Sequence, residues 1–184
     1  MRCFLRPEQS FLLVIDPQEK LMAVIHEADR VTKNISLLIR LAETFHFPII
    51  PTTQYQKGLG PYVPELAALL EGAHFFDKVE FSALKNPVIA EAIERLQLRR
   101  NTMIICGVET HICVYQTALS ALLKGFHVVV AADATSSRTP ANMQYGLERL
   151  RDLGVEIMST EMIIYEMLER AGTAQFKALL PYLK

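Results

Sequence analysis

Short, mostly apolar runs recur along the chain, and each ends in a polar residue or a glycine. The clear runs are 11–15, 47–50, 103–106, 126–132 and 155–158, and the segment 74–79 is a further candidate. Runs of this length are typical of strands that are buried on both faces of a parallel sheet. The pattern therefore predicts six strands.

Helical periodicity fills the intervals between these runs. Apolar residues follow i, i+3, i+4 spacing near 35–45, 89–96, 119–123 and 143–150. The helix boundaries are marked by Pro87 and Pro140 near helix starts and by Gly125 and Gly154 at left-handed C-caps. The segment 53–64 is interpreted as a longer loop that borders the site.

Strict alternation of strands and helices predicts an α/β fold. We expect three layers, α/β/α, around an open, six-stranded and mainly parallel sheet with helices on both faces. The chain has 184 residues, a length typical of one domain, and contains no internal repeat or linker. The prediction is a single domain over residues 1–184.

Composition narrows the possible partners and location. The net charge is −1 and the chain has no basic stripe, so we expect no nucleic-acid partner. The longest apolar runs are far shorter than the roughly 20 residues of a membrane span, so we expect no membrane partner. Three cysteines without close pairing, and no visible secretory signal, indicate a reducing, cytoplasmic environment.

Polar residues that follow the predicted strands are the first candidates for a functional site, because open parallel sheets bind ligands beyond the carboxyl ends of their strands. These residues lie in 16–18, 52–55, 107–113 and 133–137, and Lys78 joins them. Asp16 closes the first strand and Pro17 prevents its continuation. Taken alone, Asp16 also fits a turn and Lys78 also fits a solvated surface charge.

Cys113 has the strongest local context of the three cysteines. A strand ends at Gly107 and a helix begins near Thr110. With Thr110 as the N-cap, Cys113 occupies N3, where free N–H groups and the helix dipole stabilise a thiolate. We therefore expect a thiol pKa below the free value of about 8.5. The alternative is a small buried hydrophobic residue, which is also our interpretation of Cys106, while Cys3 has no informative context.

Four elements together resemble the isochorismatase-like (cysteine hydrolase) superfamily over nearly the whole chain. They are Asp16 after an apolar strand, Lys78 followed by Phe81-Ser82, the sequence GVETHICV at 107–114, and ADATSSR at 132–138. The closest resemblance is to small isochorismatase domain proteins of unassigned substrate.

This resemblance implies a hydrolase, and specifically an amidohydrolase, with a catalytic triad. Cys113 would attack the carbonyl of a small amide or related C–N compound and form a thioester. Asp16 would carry the thiol proton to the leaving amine, and Lys78 would hold the carboxylate. The Val108–Glu109 peptide bond would be cis, and the N–H groups of Glu109 and Cys113 would form the oxyanion hole.

The same resemblance bears on ligands. Gln18 and Tyr55, which follow the first two strands, are candidates for substrate binding. Nicotinamidases of this superfamily carry an aspartate–histidine metal cluster after the second strand, whereas residues 52–55 here read TTQY. We therefore expect a small-molecule substrate, no metal and no cofactor.

Two other classes of function compete with the hydrolase. One is a non-catalytic, oligomeric scaffold that retains the fold. The other is a flavodoxin-like mononucleotide binder, which the sequence disfavours because no phosphate-binding loop follows Asp16. A homo-oligomer is expected in any case, because 51% of the residues are hydrophobic, the net charge is near zero, and the segment 161–184 has more apolar residues than one helix stripe buries.

Overall fold

The computed structural model describes residues 4–183 and contains a six-stranded parallel sheet in the order β3-β2-β1-β4-β5-β6. The strands are β1 (Ser10–Ile15), β2 (Ile49–Gln54), β3 (Phe76–Lys78), β4 (Thr102–Val108), β5 (His127–Ser136) and β6 (Glu156–Met158). Every neighbouring pair of these strands is parallel. The predicted α/β class and strand number are confirmed.

Helices cover both faces of this sheet. They are α1 (Glu19–Met22), α2 (Ala28–Phe45), α3 (Gln56–Leu59), α4 (Pro64–Leu69), α5 (Pro87–Gln97), α6 (Tyr115–Leu123), α7 (Pro140–Asp152), α8 (Thr160–Leu168) and α9 (Ala174–Leu179). Short 3-10 turns occupy Pro7–Gln9, Ala83–Lys85 and Leu180–Tyr182. Helix α3 corrects the interpretation of 53–64 as a plain loop, since one helical turn forms inside it.

Side-chain alternation along the strands divides the core into two layers. On β1, Leu12 and Val14 pack with α2, α4, α8 and α9, whereas Phe11, Leu13 and Ile15 pack with α5, α6 and α7. Successive residues of a strand point to opposite faces, so a fully apolar strand supplies both layers. This explains why the central strands read as continuous apolar runs.

Most predicted helix boundaries are confirmed. Pro87 and Pro140 are the first residues of α5 and α7, where the missing N–H removes no helical hydrogen bond. Gly125 and Gly154 follow α6 and α7 with φ of 83° and 89°, the left-handed conformation expected beyond a helix end.

Strand β5 extends further than the sequence indicates. The segment 133–137 was expected to follow the strand, but β5 continues to Ser136 because its register against β4 shifts, so that Ile105 pairs with Val130 and Gly107 pairs with Thr135. The Asp133 carboxylate accepts hydrogen bonds from the N–H and hydroxyl of Thr160, each at 2.7 Å. Asp133 therefore stabilises the start of α8.

The apolar C-terminal segment is largely accounted for by the core. Ile163, Ile164, Met167 and Leu168 are buried under the sheet, whereas Met162 and Tyr165 remain 54% and 47% exposed. Tyr165 also lines a surface depression together with Phe4, which is 78% exposed. The surplus apolar surface is smaller than predicted, but part of it faces solvent.

Between residues 4 and 183, none of the helices combines the length and the apolar character that crossing a membrane requires.

Candidate active site

The strand order sets the position of the candidate site. From β1 the chain proceeds outward to β2 and β3, and it then returns to β4 on the other side of β1. A reversal of this kind opens a crevice beyond the carboxyl ends of the two central strands, where open α/β sheets bind ligands. The ends of β1 and β4 carry Asp16 and the turn that contains Cys113.

Asp16 leaves β1 in a left-handed conformation with φ of 51°. Its side chain is completely buried. The carboxylate is held on both oxygens, because Oδ1 accepts a hydrogen bond from the Thr52 hydroxyl at 2.7 Å and Oδ2 accepts one from the Lys78 ammonium at 2.6 Å. Thr52 on β2 and Lys78 on β3 therefore fix the orientation of the Asp16 carboxylate.

Lys78 ends the edge strand β3 and is only 2% exposed. Its ammonium reaches past β2 to Asp16 and donates a second hydrogen bond, of 2.7 Å, to Gln54 Oε1. Gln54 and Lys78 are direct neighbours in the register of β2 and β3. A lysine is buried in proteins when its charge is paired, and here the pairing is with a carboxylate and an amide oxygen.

Cys113 lies in a π-helical turn, Thr110–Val114, that precedes α6. The N–H of Val114 donates to the Glu109 carbonyl at 3.2 Å, the i to i−5 bond of such a turn. Glu109 is thus the residue before the helical segment, which corrects the assignment of Thr110 as N-cap; the Thr110 hydroxyl instead contacts that of Thr135 at 2.9 Å. Cys113 is the fourth helical residue and stays in the first turn.

The bond that precedes this turn has the predicted geometry, since the Val108–Glu109 peptide is cis. Gly107, one residue earlier, has φ of 110°, and any Cβ at this position would overlap the carbonyl oxygen of Ile15. Glycine therefore allows β4 to approach β1 closely at the point where the chain turns toward Cys113.

The electrostatics of the site differ from the sequence-based expectation. Burial and, after it, the Asp16 charge raise the pKa of Cys113 to about 12, against the opposing effects of the Lys78 charge and the Glu109 N–H. The predicted pKa below 8.5 is wrong. Cys113 is only 7% exposed and lies beside a carboxylate, and these two effects raise the thiol pKa by more than the helix start lowers it. Burial also raises the pKa of Asp16, against the opposing charge of Lys78.

The two predicted substrate-binding residues have different surroundings. Gln18 is completely buried, and its amide bonds to the main chain: Nε2 donates to the carbonyls of Gly60 at 2.7 Å and Gln54 at 3.2 Å, while Oε1 accepts from the Gln54 N–H at 2.7 Å. Tyr55 is 52% exposed, its ring lies against Gly58, and its N–H donates to the Lys78 carbonyl.

Several contacts were not anticipated from the sequence. Thr52 donates a hydrogen bond to Asp16, and Gln54 accepts one from Lys78. The sequence feature that could have indicated these roles is the spacing of two residues, which puts both side chains on one face of β2. Glu109 is 8% exposed and accepts hydrogen bonds from the N–H and Nε of Arg138, at 3.0 and 3.1 Å. No local signal connects residues that are this far apart in the chain.

One surface depression adjoins the candidate site. A depression of about 270 Å³ borders the turn of Cys113 and is lined by His111, Tyr115, Tyr145, Gly146 and Arg149. A larger one, about 640 Å³, lies over α2 and is lined by none of the candidate residues. Among residues 4–183, no group of three or more histidine, cysteine, aspartate or glutamate side chains is arranged to hold a metal ion.

Comparisons with known proteins agree with this architecture. The secreted isochorismatase effector Isc1 of Phytophthora sojae is 36% identical over 97% of this chain and 86% of its own length. The MAR1 ribonuclease of Caenorhabditis elegans superposes with a TM-score of 0.90 at 30% identity, over 98% of this chain and 92% of that one. Since the former is a secreted protein, the cytoplasmic location expected here stays a prediction.

A further structural neighbour is the ycaC gene product of Escherichia coli, described as an octameric hydrolase of unknown specificity. It superposes with a TM-score of 0.91 at 27% identity, over 99% of this chain and 91% of that one. The sequence profile of the isochorismatase domain matches residues 10–162. With this match and the relatives above, the chain belongs to the isochorismatase family.

Proposed function

We propose that residues 1–184 act as one hydrolase domain that cleaves a small amide or related C–N compound through a thioester on Cys113. The observation that carries the proposal is the buried contact between Lys78 and Asp16, 2.6 Å long, beside the Cys113 thiol. A nucleophile, a base and a cation that holds the base are the groups that acyl transfer requires.

In the first half of the reaction, the Cys113 thiol transfers its proton to Asp16 while the sulfur attacks the substrate carbonyl. The negative charge that develops on the carbonyl oxygen is stabilised by the backbone N–H groups of Glu109 and Cys113. Collapse of this intermediate breaks the C–N bond, and the amine leaves with the proton held by Asp16.

The second half regenerates the enzyme. A water molecule transfers a proton to Asp16 and adds to the thioester carbonyl. The C–S bond then breaks, the acid product leaves, and the proton returns from Asp16 to the Cys113 sulfur. Neither half of the reaction uses a metal ion or an organic cofactor.

The shifted pKa values support this order of events. With its pKa raised to about 12, the Cys113 thiol stays protonated until a base removes its proton during attack. Burial raises the pKa of Asp16 and so makes it a stronger base than an exposed aspartate. The mechanism is therefore general-base catalysis and not attack by a preformed thiolate.

The burial of Cys113 favours a small substrate, because a side chain that is 7% exposed is accessible only to a narrow group. A net charge of −1 provides no electrostatic attraction for nucleic acid, so the proposed substrate is a small molecule and not the RNA that the name of the C. elegans neighbour indicates.

The test is a panel of small amides, ureas and carbamoyl compounds, assayed for released amine with the wild type and Cys113→Ala. Cys106→Ala is the matched control, because Cys106 is a buried cysteine on β4 whose side chain belongs to the other core layer from that of Cys113. We expect Cys113→Ala to lower turnover by on the order of 10³-fold or more and Cys106→Ala to retain it. Mass spectrometry of the wild type should detect an acyl adduct on Cys113.

Turnover that is equal in the wild type and Cys113→Ala would refute the nucleophile. If no compound is turned over and no adduct forms, the alternative of a non-catalytic oligomeric scaffold is favoured instead.

A further inference from the structure

We propose that Gln54 is a positioning residue, a neutral second acceptor that holds the Lys78 ammonium so that its charge acts on the Cys113 sulfur. The inference rests on the proposed function, because it concerns the same nucleophile. Gln54 lies on β2. Its amide oxygen and its lack of charge together influence the pKa of the Cys113 thiol.

The hydrogen bonds of the Lys78 ammonium lead to this proposal. An ammonium has three N–H donors. One donates to Asp16 Oδ2 at 2.6 Å and a second to Gln54 Oε1 at 2.7 Å. Among residues 4–183, these are the acceptors that the ammonium has. These two bonds fix the orientation of the ammonium and therefore the position of its charge, which lowers the pKa of Cys113.

The orientation of the Gln54 amide is determined by its other contact. Its Nε2 donates to the Val79 carbonyl at 2.8 Å. A carbonyl oxygen only accepts, so the amide nitrogen must face Val79 and the amide oxygen must face Lys78. A flipped amide would direct N–H donors at an ammonium and lose both contacts.

The main chain at Gln54 is fixed as well. The buried amide of Gln18 accepts from the Gln54 N–H at 2.7 Å and donates to the Gln54 carbonyl at 3.2 Å. The second N–H of the same amide donates to the Gly60 carbonyl. Gln18 therefore acts through Gln54, by holding the end of β2, and its own amide is occupied by these main-chain contacts.

The neutrality of Gln54 matters for the pKa of Cys113, because the two charges beside the thiol balance each other. Asp16 and Lys78 form one pair, and the positive charge lowers the pKa of Cys113 while the negative charge raises it. A glutamate at position 54 would add a second carboxylate that competes for the same ammonium. The pKa of Cys113 would then rise further, because a nearby negative charge disfavours the thiolate.

The experiment is the pH dependence of Cys113 alkylation by iodoacetamide, read by peptide mass spectrometry on the full chain. The variants are Gln54→Glu and Gln54→Met. Gln97→Glu is the control, because it adds the same charge at the last residue of α5, outside the group of Asp16, Lys78 and Cys113; its side chain donates a hydrogen bond to the Lys124 carbonyl. Thermal unfolding of each variant shows that it is folded at the temperature of the assay.

We expect Gln54→Glu to slow alkylation about tenfold or more at a given pH, which corresponds to an upward pKa shift of about one unit. Gln54→Met, which has similar length but no acceptor or charge, should slow it by only about threefold. Gln97→Glu should match the wild type. An unchanged profile in Gln54→Glu, or equal effects of Glu and Met, would overturn the proposal, since a packing role does not depend on charge.

This measurement is independent of substrate. If the alkylation profile shifts as expected but no amide is hydrolysed, the role of Gln54 stands and the proposed function fails. If amides are hydrolysed through Cys113 and the profile does not shift, only the role of Gln54 fails.

Discussion

The Lys78 ammonium lies 2.6 Å from Asp16 Oδ2, and both side chains are completely shielded from solvent although the residues are 62 positions apart in the chain. Strand β2 separates β1 from β3, so Lys78 reaches across the end of a whole strand to make this contact. Removing one partner of such a pair leaves an uncompensated buried charge, whereas replacing both removes the charges together.

The first prediction concerns the stability of this pair. We expect Lys78→Met to lower the free energy of unfolding by about 3–5 kcal/mol, and Lys78→Met combined with Asp16→Leu to cost less than the sum of the single substitutions. Urea unfolding measures both. Lys124→Met is the control, because Lys124 pairs with Glu94 on the surface and should contribute about 0–1 kcal/mol. Equal losses in Lys78→Met and Lys124→Met would contradict the prediction.

The second prediction separates thiol reactivity from catalysis. The Asp16 carboxylate raises the pKa of Cys113, so Asp16→Asn should lower this pKa and increase the rate of iodoacetamide labelling at about pH 8. The same substitution removes the proposed base and should lower amide turnover by about 10²–10⁴-fold. The two effects therefore have opposite signs.

Asp152→Asn, at the exposed end of α7, removes the same charge far from the site and should leave both rates unchanged. In the wild type, Cys113 should react faster than Cys106, because burial raises the pKa of Cys106 more strongly. Cys3 lies outside the described residues. Slower labelling of Cys113 in Asp16→Asn would show that the carboxylate is not what raises the thiol pKa.

A third prediction concerns metal. Residues 52–55 carry no aspartate or histidine, and no set of three metal donors converges among residues 4–183. We expect turnover of an accepted amide to be unchanged after treatment with a chelator and to gain nothing from added zinc or iron. Metal analysis of the purified protein provides the measurement. Stoichiometric metal whose removal abolishes turnover would show that the site was misinterpreted.

The fourth prediction is a homo-oligomer. Met162 and Tyr165 on α8 are about half exposed, and the E. coli neighbour is described as an octamer. Light scattering coupled to size-exclusion chromatography should give at least twice the 20.8 kDa of one chain. If the face of α8 forms the interface, Tyr165→Glu should reduce this mass, whereas Leu98→Glu, at a position 89% exposed near the end of α5, should not. A mass of one chain at high concentration would end the prediction.

The strands and their order of appearance could be predicted because their cause is local. Continuous apolar runs such as 11–15 and 103–106 supply both faces of a covered sheet, and glycines and prolines mark the helix ends. The length of β5 could not be predicted, because its extension to Ser136 depends on a register shift against β4. Register is a property of two strands and not of one.

The candidate site divides in the same way. The sequence by itself determined that Asp16, Lys78 and the turn of Cys113 end strands or follow them, and parallel strands bring their carboxyl ends to one edge of the sheet. Only the tertiary structure decided that Thr52 and Gln54 hold the charged pair and that the pKa of Cys113 rises instead of falling. The place of Cys113 in the first helical turn is encoded within a few residues. Its burial and the charges beside it depend on how β1, β2 and β3 pack together.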